Sequence, residues 1–257
     1  MLEVQHITKI YNPGTVHETC LFKDFSLKIE QGSFASVVGS NGSGKTSLLN
    51  ILCGSIPVEQ GKILMDNADI TKVKEFRRYR RMGRVYQNPA MGTCPTMNIL
   101  ENLSMADNKG KPFNLTRGTN KRRIEAYKAM LAPLGLGLED KMGIPVGSLS
   151  GGQRQALALL MATMNPIDFL ILDEHTAALD PKTAEIIMEL TDKVVREKKL
   201  TAMMVTHNLR YAVEYGDRLI MMNQGHVVMD RAGEEKAQTS IDEVMETFNR
   251  IALETGA

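Results

Sequence analysis

The chain has 257 residues and a formal net charge of +1, with 31 Lys and Arg residues against 30 Asp and Glu residues. Apolar residues make up 43% of it, which is ordinary for a globular protein of one or two domains. This balance argues against a protein that coats nucleic acid or binds anionic lipid, and no apolar stretch suggests a membrane span or a signal peptide. Three scattered cysteines form neither a disulfide framework nor a zinc pattern, and they fit a reducing cytoplasm.

The apolar pattern at the front of the chain predicts strands that alternate with helices. Alternation over residues 1–11 and a strand at 25–30 indicate a small antiparallel sheet. A short apolar run at 34–38 predicts a buried strand, which leads through a glycine-rich loop at 39–44 into a helix at 45–53. Further strands are predicted at 63–65, 84–86, 169–172, 201–206, 218–223 and 226–230.

Helical periodicity replaces this alternation between residues 88 and 165. Helices are predicted at 97–105, 121–131, 150–164, 181–198 and 209–215, and a last one begins after Ser240 as its N-cap. Buried strands that alternate with helices favour a mainly parallel sheet. The sequence therefore predicts an α/β core that is interrupted by a helical insert.

Residues 39–46 match the pattern G-x-x-x-x-G-K-[ST] between a predicted strand and a predicted helix. Glycines let successive backbone N–H groups converge on phosphate oxygens, and the dipole of the following helix favours an anion there. Lys45 is then expected to reach the β- and γ-phosphates and Thr46 to bind Mg²⁺. The alternative is a glycine-rich turn that matches by chance. A dinucleotide-binding loop fits poorly, because Ser47 stands where a third glycine would be.

Two carboxylates, Asp173 and Glu174, follow the buried strand at 169–172. At the carboxyl edge of a parallel sheet, Asp173 is expected to hold Mg²⁺ and Glu174 to act as a general base on water. The alternative is that Glu174 only caps or pairs at the surface. Residues 149–153 read Leu-Ser-Gly-Gly-Gln before a long helix, which is either an anion site at a helix N-terminus or no more than an N-cap at Ser150.

The phosphate loop, the later LSGGQ sequence and the strand that ends in Asp-Glu together resemble the nucleotide-binding domain of ATP-binding-cassette (ABC) transporters, over nearly the whole chain. The resemblance implies a phosphate-loop (RecA-like) α/β core of residues 1–87 and 166–257, with an antiparallel β subdomain and an inserted helical subdomain at 88–165. It also implies single-residue roles. Tyr11 would stack on adenine, Gln87 would sense Mg²⁺ and the attacking water, and His207 would contact the γ-phosphate, although Tyr11 could be an ordinary strand-end tyrosine and His207 a structural histidine.

The resemblance carries over to a defined set of residues, in a chain that is expected to bind ATP and Mg²⁺. The residues expected to bind ATP are Tyr11, Gly39, Ser40, Asn41, Gly42, Ser43, Gly44, Lys45, Thr46, Ser47, Gln87, Ser150, Gly151, Gly152, Gln153, Asp180 and His207. The residues expected to act in catalysis are Lys45, Gln87, Glu174 and His207, and the expected Mg²⁺ ligands are Thr46, Gln87 and Asp173. Two positions depart from the family pattern, because His175 replaces a common proline and Ala177 a common serine.

The same resemblance implies partners. Two chains would form a homodimer or pseudo-dimer around two ATP molecules, with residues 39–46 of one subunit facing 150–153 of the other. A separate permease would dock on about residues 88–103, at the cytoplasmic face of the membrane. Residues 143–147 lack the acidic residue of exporter-type chains, which favours an importer. The stretch 172–180 resembles ATPase subunits of amino-acid-type importers, which implies amino-acid cargo and a substrate-binding lipoprotein.

The sequence also allows two functions other than transport, and it contains a basic run. A single short cassette could instead serve outside transport, for example in iron–sulfur assembly, or could bind nucleotide without turnover. A basic run over residues 72–84 suggests nucleic-acid binding, but the balanced charge favours a solvated helix face, and no nucleic acid is expected as a partner. The run consists of Lys72, Lys74, Arg77, Arg78, Arg80, Arg81 and Arg84.

Overall fold

The computed structural model describes residues 1–111, 115 and 118–255, with the backbone alone for 252–255. The strands are β1 (Leu2–Tyr11), β2 (Thr19–Ile29), β3 (Phe34–Gly39), β4 (Gln60–Met65), β5 (Ala68–Asp69), β6 (Met82–Val85), β7 (Phe169–Asp173), β8 (Thr201–Val205), β9 (Arg218–Asn223) and β10 (His226–Ala232). The helices are α1 (Lys45–Cys53), α2 (Glu75–Arg78), α3 (Ile99–Asp107), α4 (Ile124–Leu131), α5 (Gly151–Thr163), α6 (Pro181–Glu197), α7 (Leu209–Glu214), α8 (Glu234–Gln238) and α9 (Ile241–Thr255). Within these described ranges, no helix is long and apolar enough to cross a bilayer.

A six-stranded sheet in the order β10-β9-β3-β8-β7-β6 forms the core, as the alternation of buried strands and helices predicts. Its inner strands run parallel and only β10 is antiparallel to its neighbour. Every residue of β3 and β8 is buried, because helices or the second sheet cover both faces. Asp173 pairs with Val205 and Val37 pairs with the same Val205, so the carboxyl ends of β3, β7 and β8 meet at one edge.

The second sheet is antiparallel, in the order β2-β1-β4-β5, and packs with α1 on one face of the parallel sheet. Its strand β2 begins at Thr19 rather than at residue 25, and β5 was not expected from the sequence. Phe22 is the one buried residue in the first part of β2, from Thr19 to Asp24. An exposed strand of this kind lacks the apolar alternation by which strands are recognised.

The opposite face of the parallel sheet is covered by α5, α6 and α7, while α9 packs beside α7 near the β9 end. A separate apolar cluster joins α3, α4 and α5 around the fully buried Tyr127. Helix α5 contributes to both clusters, with Leu159 against the sheet and Leu157 against the helical part. The helical insert is thus observed as a packed unit, and its boundaries at residues 88 and 165 stay a prediction.

The expectation that the basic run is a solvated helix face is confirmed only in part, because Lys72, Lys74, Arg77 and Arg80 are exposed but the others do not form such a face. Only Glu75–Arg78 is helical, and Arg84 lies on β6. Arg78 is buried and donates to the carbonyls of Ile51 and Leu52 at the end of α1, each at 2.8 Å. Since the last carbonyls of a helix have no partner within it, this guanidinium supplies the hydrogen bonds that a buried helix end needs.

His175 follows β7 and is fully buried against α6. Its Nε2 atom lies 3.0 Å from the Thr191 hydroxyl, which itself donates to the carbonyl of Ile187. Because a hydroxyl has one proton to give, Nε2 must carry a proton and donate it to Thr191. Burial lowers the pKa of His175 to about 4 from its ordinary 6.5.

His175 predicts a loss of stability in mild acid. In the unfolded chain His175 takes up a proton below pH 6.5, while in the folded chain it resists protonation until about pH 4. The contribution of neutral His175 to the free energy of unfolding is therefore fully present above pH 6.5 and is lost as the pH falls from 6.5 to 4. The full loss is about 3 kcal/mol. Urea unfolding between pH 7 and 4.5 should show a shallower pH dependence for His175→Asn than for the wild type. Equal slopes would contradict the assignment.

The first turn of α5 lies unusually close to the first turn of α6. A Cβ atom at Gly152 would lie 2.2 Å from Thr183 Cγ2, whereas one at Gly151 would lie 3.1 Å from the flexible end of Leu179. Thr183 cannot turn away readily, since β-branched side chains have few rotamers in a helix.

Gly152→Ala should therefore destabilise the fold by about 1–3 kcal/mol, because the added methyl group overpacks this contact. Gly151→Ala is the matched control in the same helical turn, and it should change stability by less than about 1 kcal/mol, since alanine also favours the helix. Denaturant unfolding of both variants measures the difference. Equal effects would show that the close approach of α5 and α6 does not require glycine.

Candidate functional site

The phosphate loop joins the carboxyl end of β3 to the first turn of α1. Gly44 has a φ of 103°, which strongly favours glycine, and a Cβ atom at Gly39 would lie 2.3 Å from the carbonyl oxygen of Met222. The loop is further held because the Ser43 amide donates to the Ser40 carbonyl and the Gly225 amide donates to the Ser43 carbonyl. The remaining loop positions, Asn41 and Gly42, are exposed at the sheet edge.

Lys45 folds back into this loop. Its ammonium group donates to the carbonyls of Gly39 and Ser40, at 2.7 and 3.0 Å, and to the hydroxyl of Ser43 at 3.3 Å. Burial lowers the pKa of Lys45, against an opposing attraction from Glu174. Among the described side chains no carboxylate forms an ion pair with Lys45. A desolvated cation held only by neutral groups is a suitable partner for a phosphate group.

Tyr11 lies beside the start of α1. Its hydroxyl donates to the hydroxyl of Ser47 at 3.0 Å, and the ammonium of Lys9 lies 5.4 Å from its ring centroid. Thr46 is exposed on the same helical turn. The structure thus brings the predicted adenine contact, Tyr11, to the helix that carries the phosphate loop.

Asp173 ends β7 and forms an ion pair that the sequence did not suggest. Its Oδ2 atom accepts from Nη2 of Arg84 on the neighbouring strand β6, at 2.6 Å. Burial opposes the charge of Arg84, but the contact with Asp173 outweighs it and raises the pKa of the guanidinium. Asp173 therefore has one carboxylate oxygen engaged within the protein.

The predicted metal ligands share one donor chemistry. The hydroxyl of Thr46, the amide of Gln87 and the carboxylate of Asp173 are hard oxygen donors, which suit Mg²⁺. Over residues 1–111, 115 and 118–255, no cluster of three or more His, Cys, Asp or Glu side chains could hold a metal ion. The donor set thus fits an ion that binds few protein groups and takes other ligands from phosphate and water.

Glu174 and His207 contact each other directly. Nε2 of His207 lies 2.7 Å from Oε1 of Glu174, and the Glu174 side chain is the more buried of the two. Glu174 also has a φ of 48°, which is uncommon for a residue other than glycine, and its amide donates to the Val205 carbonyl. A backbone outlier held by neighbouring structure is typical of a functional position.

Gln87 follows β6 and is exposed. The carbonyl of the preceding Tyr86 accepts a hydrogen bond from Nε2 of Gln155, which is fully buried on α5. Gln155 was not among the predicted functional residues, although a glutamine at a core-facing position of an apolar helix is a detectable signal. It links the helix that LSGGQ opens to the strand end that carries Gln87.

Ser150 caps α5 in a reciprocal arrangement. Its hydroxyl accepts from the Gln153 amide, and its own amide donates to the Gln153 side chain, each at 3.2 Å. Asp180 likewise caps α6 by accepting from the Thr183 amide at 3.1 Å. Hydrogen bonding from the side chain and then the backbone amide of Thr183 lowers the pKa of Asp180. Both residue sets, 39–46 and 150–153, are described in full, and no hydrogen bond joins them within the chain.

The comparisons with known proteins agree with this geometry. Residues 22–177 match the family model described as ABC transporter. A tyrosine transport ATP-binding protein of Clostridioides difficile is 44% identical over 96% of this chain and 98% of its own length. A phosphonates import ATP-binding protein, PhnC, of Lactococcus lactis subsp. cremoris is 29% identical over 95% of this chain and 98% of its own length.

A similar solved structure is a dimeric ATP-binding cassette in a post-hydrolysis state, bound to ADP and Pi. It matches with a TM-score of 0.76 and 28% identity, over 90% of this chain and 98% of that one. The family-model match covers more than half of the chain, and the curated relatives align along almost all of it. The chain belongs to the ABC transporter family, with the fold of its ATP-binding cassettes.

Proposed function

We propose that the chain is an ATP-hydrolysing subunit that powers a separate membrane permease. The observation that carries the proposal is the convergence at one sheet edge of the phosphate loop with Lys45, the carboxylate Asp173 and the Glu174–His207 pair. These groups supply what phosphoryl transfer to water requires, namely a phosphate cradle, a metal ligand and a base.

In this proposal Glu174 accepts the proton of the attacking water. His207, now in contact with Oε1 of Glu174, orients that carboxylate and would contact the γ-phosphate when ATP is bound. Lys45 stabilises charge that develops on the phosphate oxygens. Mg²⁺, held by Thr46, Asp173 and Gln87, would neutralise the phosphates and orient the nucleotide. Tyr11 would stack on the adenine ring.

We further propose that two copies dimerise around two ATP molecules. The N-terminus of α5, with Ser150 as its cap, is an anion-binding end without a phosphate loop opposite it in the same chain. In a two-fold dimer, residues 150–153 of one copy would complete the site formed by 39–46 of the other. The dimeric cassette among the similar structures supports this arrangement.

The transport assignment rests on the relatives and on one surface. Curated relatives are named for tyrosine transport and for phosphonates import, which favours a small-molecule importer and, from the more similar relative, amino-acid cargo. Within residues 88–103, Met91 and Met97 expose large apolar side chains, as a permease-docking surface would. A substrate-binding lipoprotein would deliver the cargo, and the chain would lie at the cytoplasmic face of the membrane.

Glu174→Gln should lower the ATPase rate by about 100-fold or more, since the amide cannot accept the proton of water. The affinity for a fluorescent ATP analogue should remain within about threefold, because Glu174 acts in the chemical step. Steady-state phosphate release and a binding titration measure the two effects.

Glu234→Gln, an exposed carboxylate on α8, is the matched control and should hydrolyse ATP at the wild-type rate. Wild-type turnover in Glu174→Gln would refute the role of Glu174 as base. A wild-type chain that binds ATP without measurable turnover would instead support a nucleotide-binding regulator.

Glu174→Gln with ATP should sediment at twice the 28.5 kDa protomer mass. Adding Ser150→Asp keeps a good N-cap but places a negative charge where the γ-phosphate must approach, so the double variant should bind ATP and remain monomeric. Analytical ultracentrifugation with and without ATP distinguishes the two. A monomeric Glu174→Gln chain at saturating ATP would refute the proposed dimer.

A further inference from the structure

Arg84 occupies a buried position beside the proposed magnesium ligand. It lies on β6 at the register position of Ile171 on β7, and its side chain is only 7% exposed. Its Nη2 atom donates to Oδ2 of Asp173 at 2.6 Å, and the Asp173 side chain is 15% exposed. The charges of this ion pair are therefore only weakly screened by solvent.

The guanidinium is also fixed from its other sides. Nη1 donates to Oδ1 of Asn50 on α1 at 2.9 Å, and the guanidinium carbon lies 4.6 Å from the centroid of the Tyr86 ring. Its Nε atom is buried without a hydrogen-bond partner among the described residues. Because these contacts come from α1 and from the strand end before Gln87, Arg84 cannot leave for solvent without breaking all of them.

An arginine in this place has two effects on a metal ligand. It engages one carboxylate oxygen, Oδ2, and leaves Oδ1 as the oxygen that is available to a cation. It also adds a permanent positive charge, since arginine stays protonated at any physiological pH. That charge repels Mg²⁺ and compensates the repulsion between Asp173 and the phosphates of a nucleotide.

We propose that Arg84 is a positioning residue of the magnesium site, which fixes Asp173 through Oδ2 and reduces the dependence of ATP binding on Mg²⁺. The inference rests on the proposed function, in which Asp173 binds the Mg²⁺ of Mg-ATP. Mg²⁺ would bind the same Asp173 carboxylate that the positive charge of Arg84 already contacts. Without Arg84, Asp173 binds Mg²⁺ more strongly and repels metal-free ATP more strongly, so both effects act in the same direction.

The test measures the dissociation constant of a fluorescent, non-hydrolysable ATP analogue in EDTA and in excess Mg²⁺. The quantity compared is the dissociation constant in EDTA divided by that in Mg²⁺. Arg84→Met removes the charge and keeps an apolar chain against Tyr86. Arg84→Gln removes the charge but keeps a neutral hydrogen-bond donor for Asp173, which serves if the methionine variant does not fold. The ratio should rise roughly tenfold in either variant, the effect of one weakly screened charge.

Arg84→Lys is the matched control, because it keeps the charge and loses the planar fork. Its ratio should stay within about threefold of the wild type. An unchanged or lower ratio in Arg84→Gln, or an equal rise in Arg84→Lys, would overturn the inference while the proposed function stands. A wild-type chain that binds no ATP in either condition would overturn the proposed function and this inference with it.

Discussion

The burial of α1 between the two sheets is the constraint on which the site depends. Its residues Leu49, Ile51 and Leu52 are fully buried, so the helix can neither slide nor rotate without exposing apolar surface. Its carboxyl end is satisfied by Arg78, which reaches two of its last carbonyls. With the far end fixed, the amino end at Lys45 has one position relative to the carboxyl end of β3, and the phosphate loop spans that interval.

The residues that converge on this edge differ in how their charge is compensated. Asp173 is paired with Arg84 and Glu174 is in contact with His207, whereas the partners of Lys45 among the described residues are carbonyl and hydroxyl groups. The edge therefore presents its unpaired positive charge at the loop and holds its carboxylates against fixed neighbours. Since buried, unpaired cations are costly, an anionic ligand is the species that this arrangement stabilises most.

Short-range sequence signals predicted much of the fold, including the strands and helices that flank the three motifs. The phosphate loop, the LSGGQ turn and the Asp-Glu strand end are each contiguous in the sequence. Their positions could be predicted because local backbone geometry and strand order decide where they lie. The ion pair of Arg84 with Asp173 and the burial of Arg78 were not predicted, because both were interpreted as part of a solvated basic helix face. Whether an arginine faces water or a helix end depends on which distant element packs on it, and no local periodicity encodes that.

The hydrogen-bond partner of Gln155 likewise could not be predicted from local sequence. The hydrogen bond of Gln155 to the Tyr86 carbonyl joins residues that are far apart in the chain, and its Oε1 atom is buried without a partner among the described residues. The polarity of this side chain inside an apolar helix was visible in the sequence, but its acceptor was not. The contact ties the helical part to the strand end before Gln87, where the resemblance places communication with the core.

The close approach of Gly152 to Thr183 would couple the two nucleotide sites of the proposed dimer. It fixes the cap of α5 against the first turn of α6, which Asp180 begins directly after the segment that carries Glu174 and Ala177. In the proposed dimer, the cap of α5 serves the nucleotide of the opposite subunit, while Glu174 serves the nucleotide of its own. Because the contact of Gly152 with Thr183 joins the cap of α5 to the helix that follows the Glu174 segment, a displacement at one nucleotide would be transmitted to the other. Occupancy of the two sites would then be thermodynamically linked, and the dimer would respond to ATP concentration as one cooperative unit.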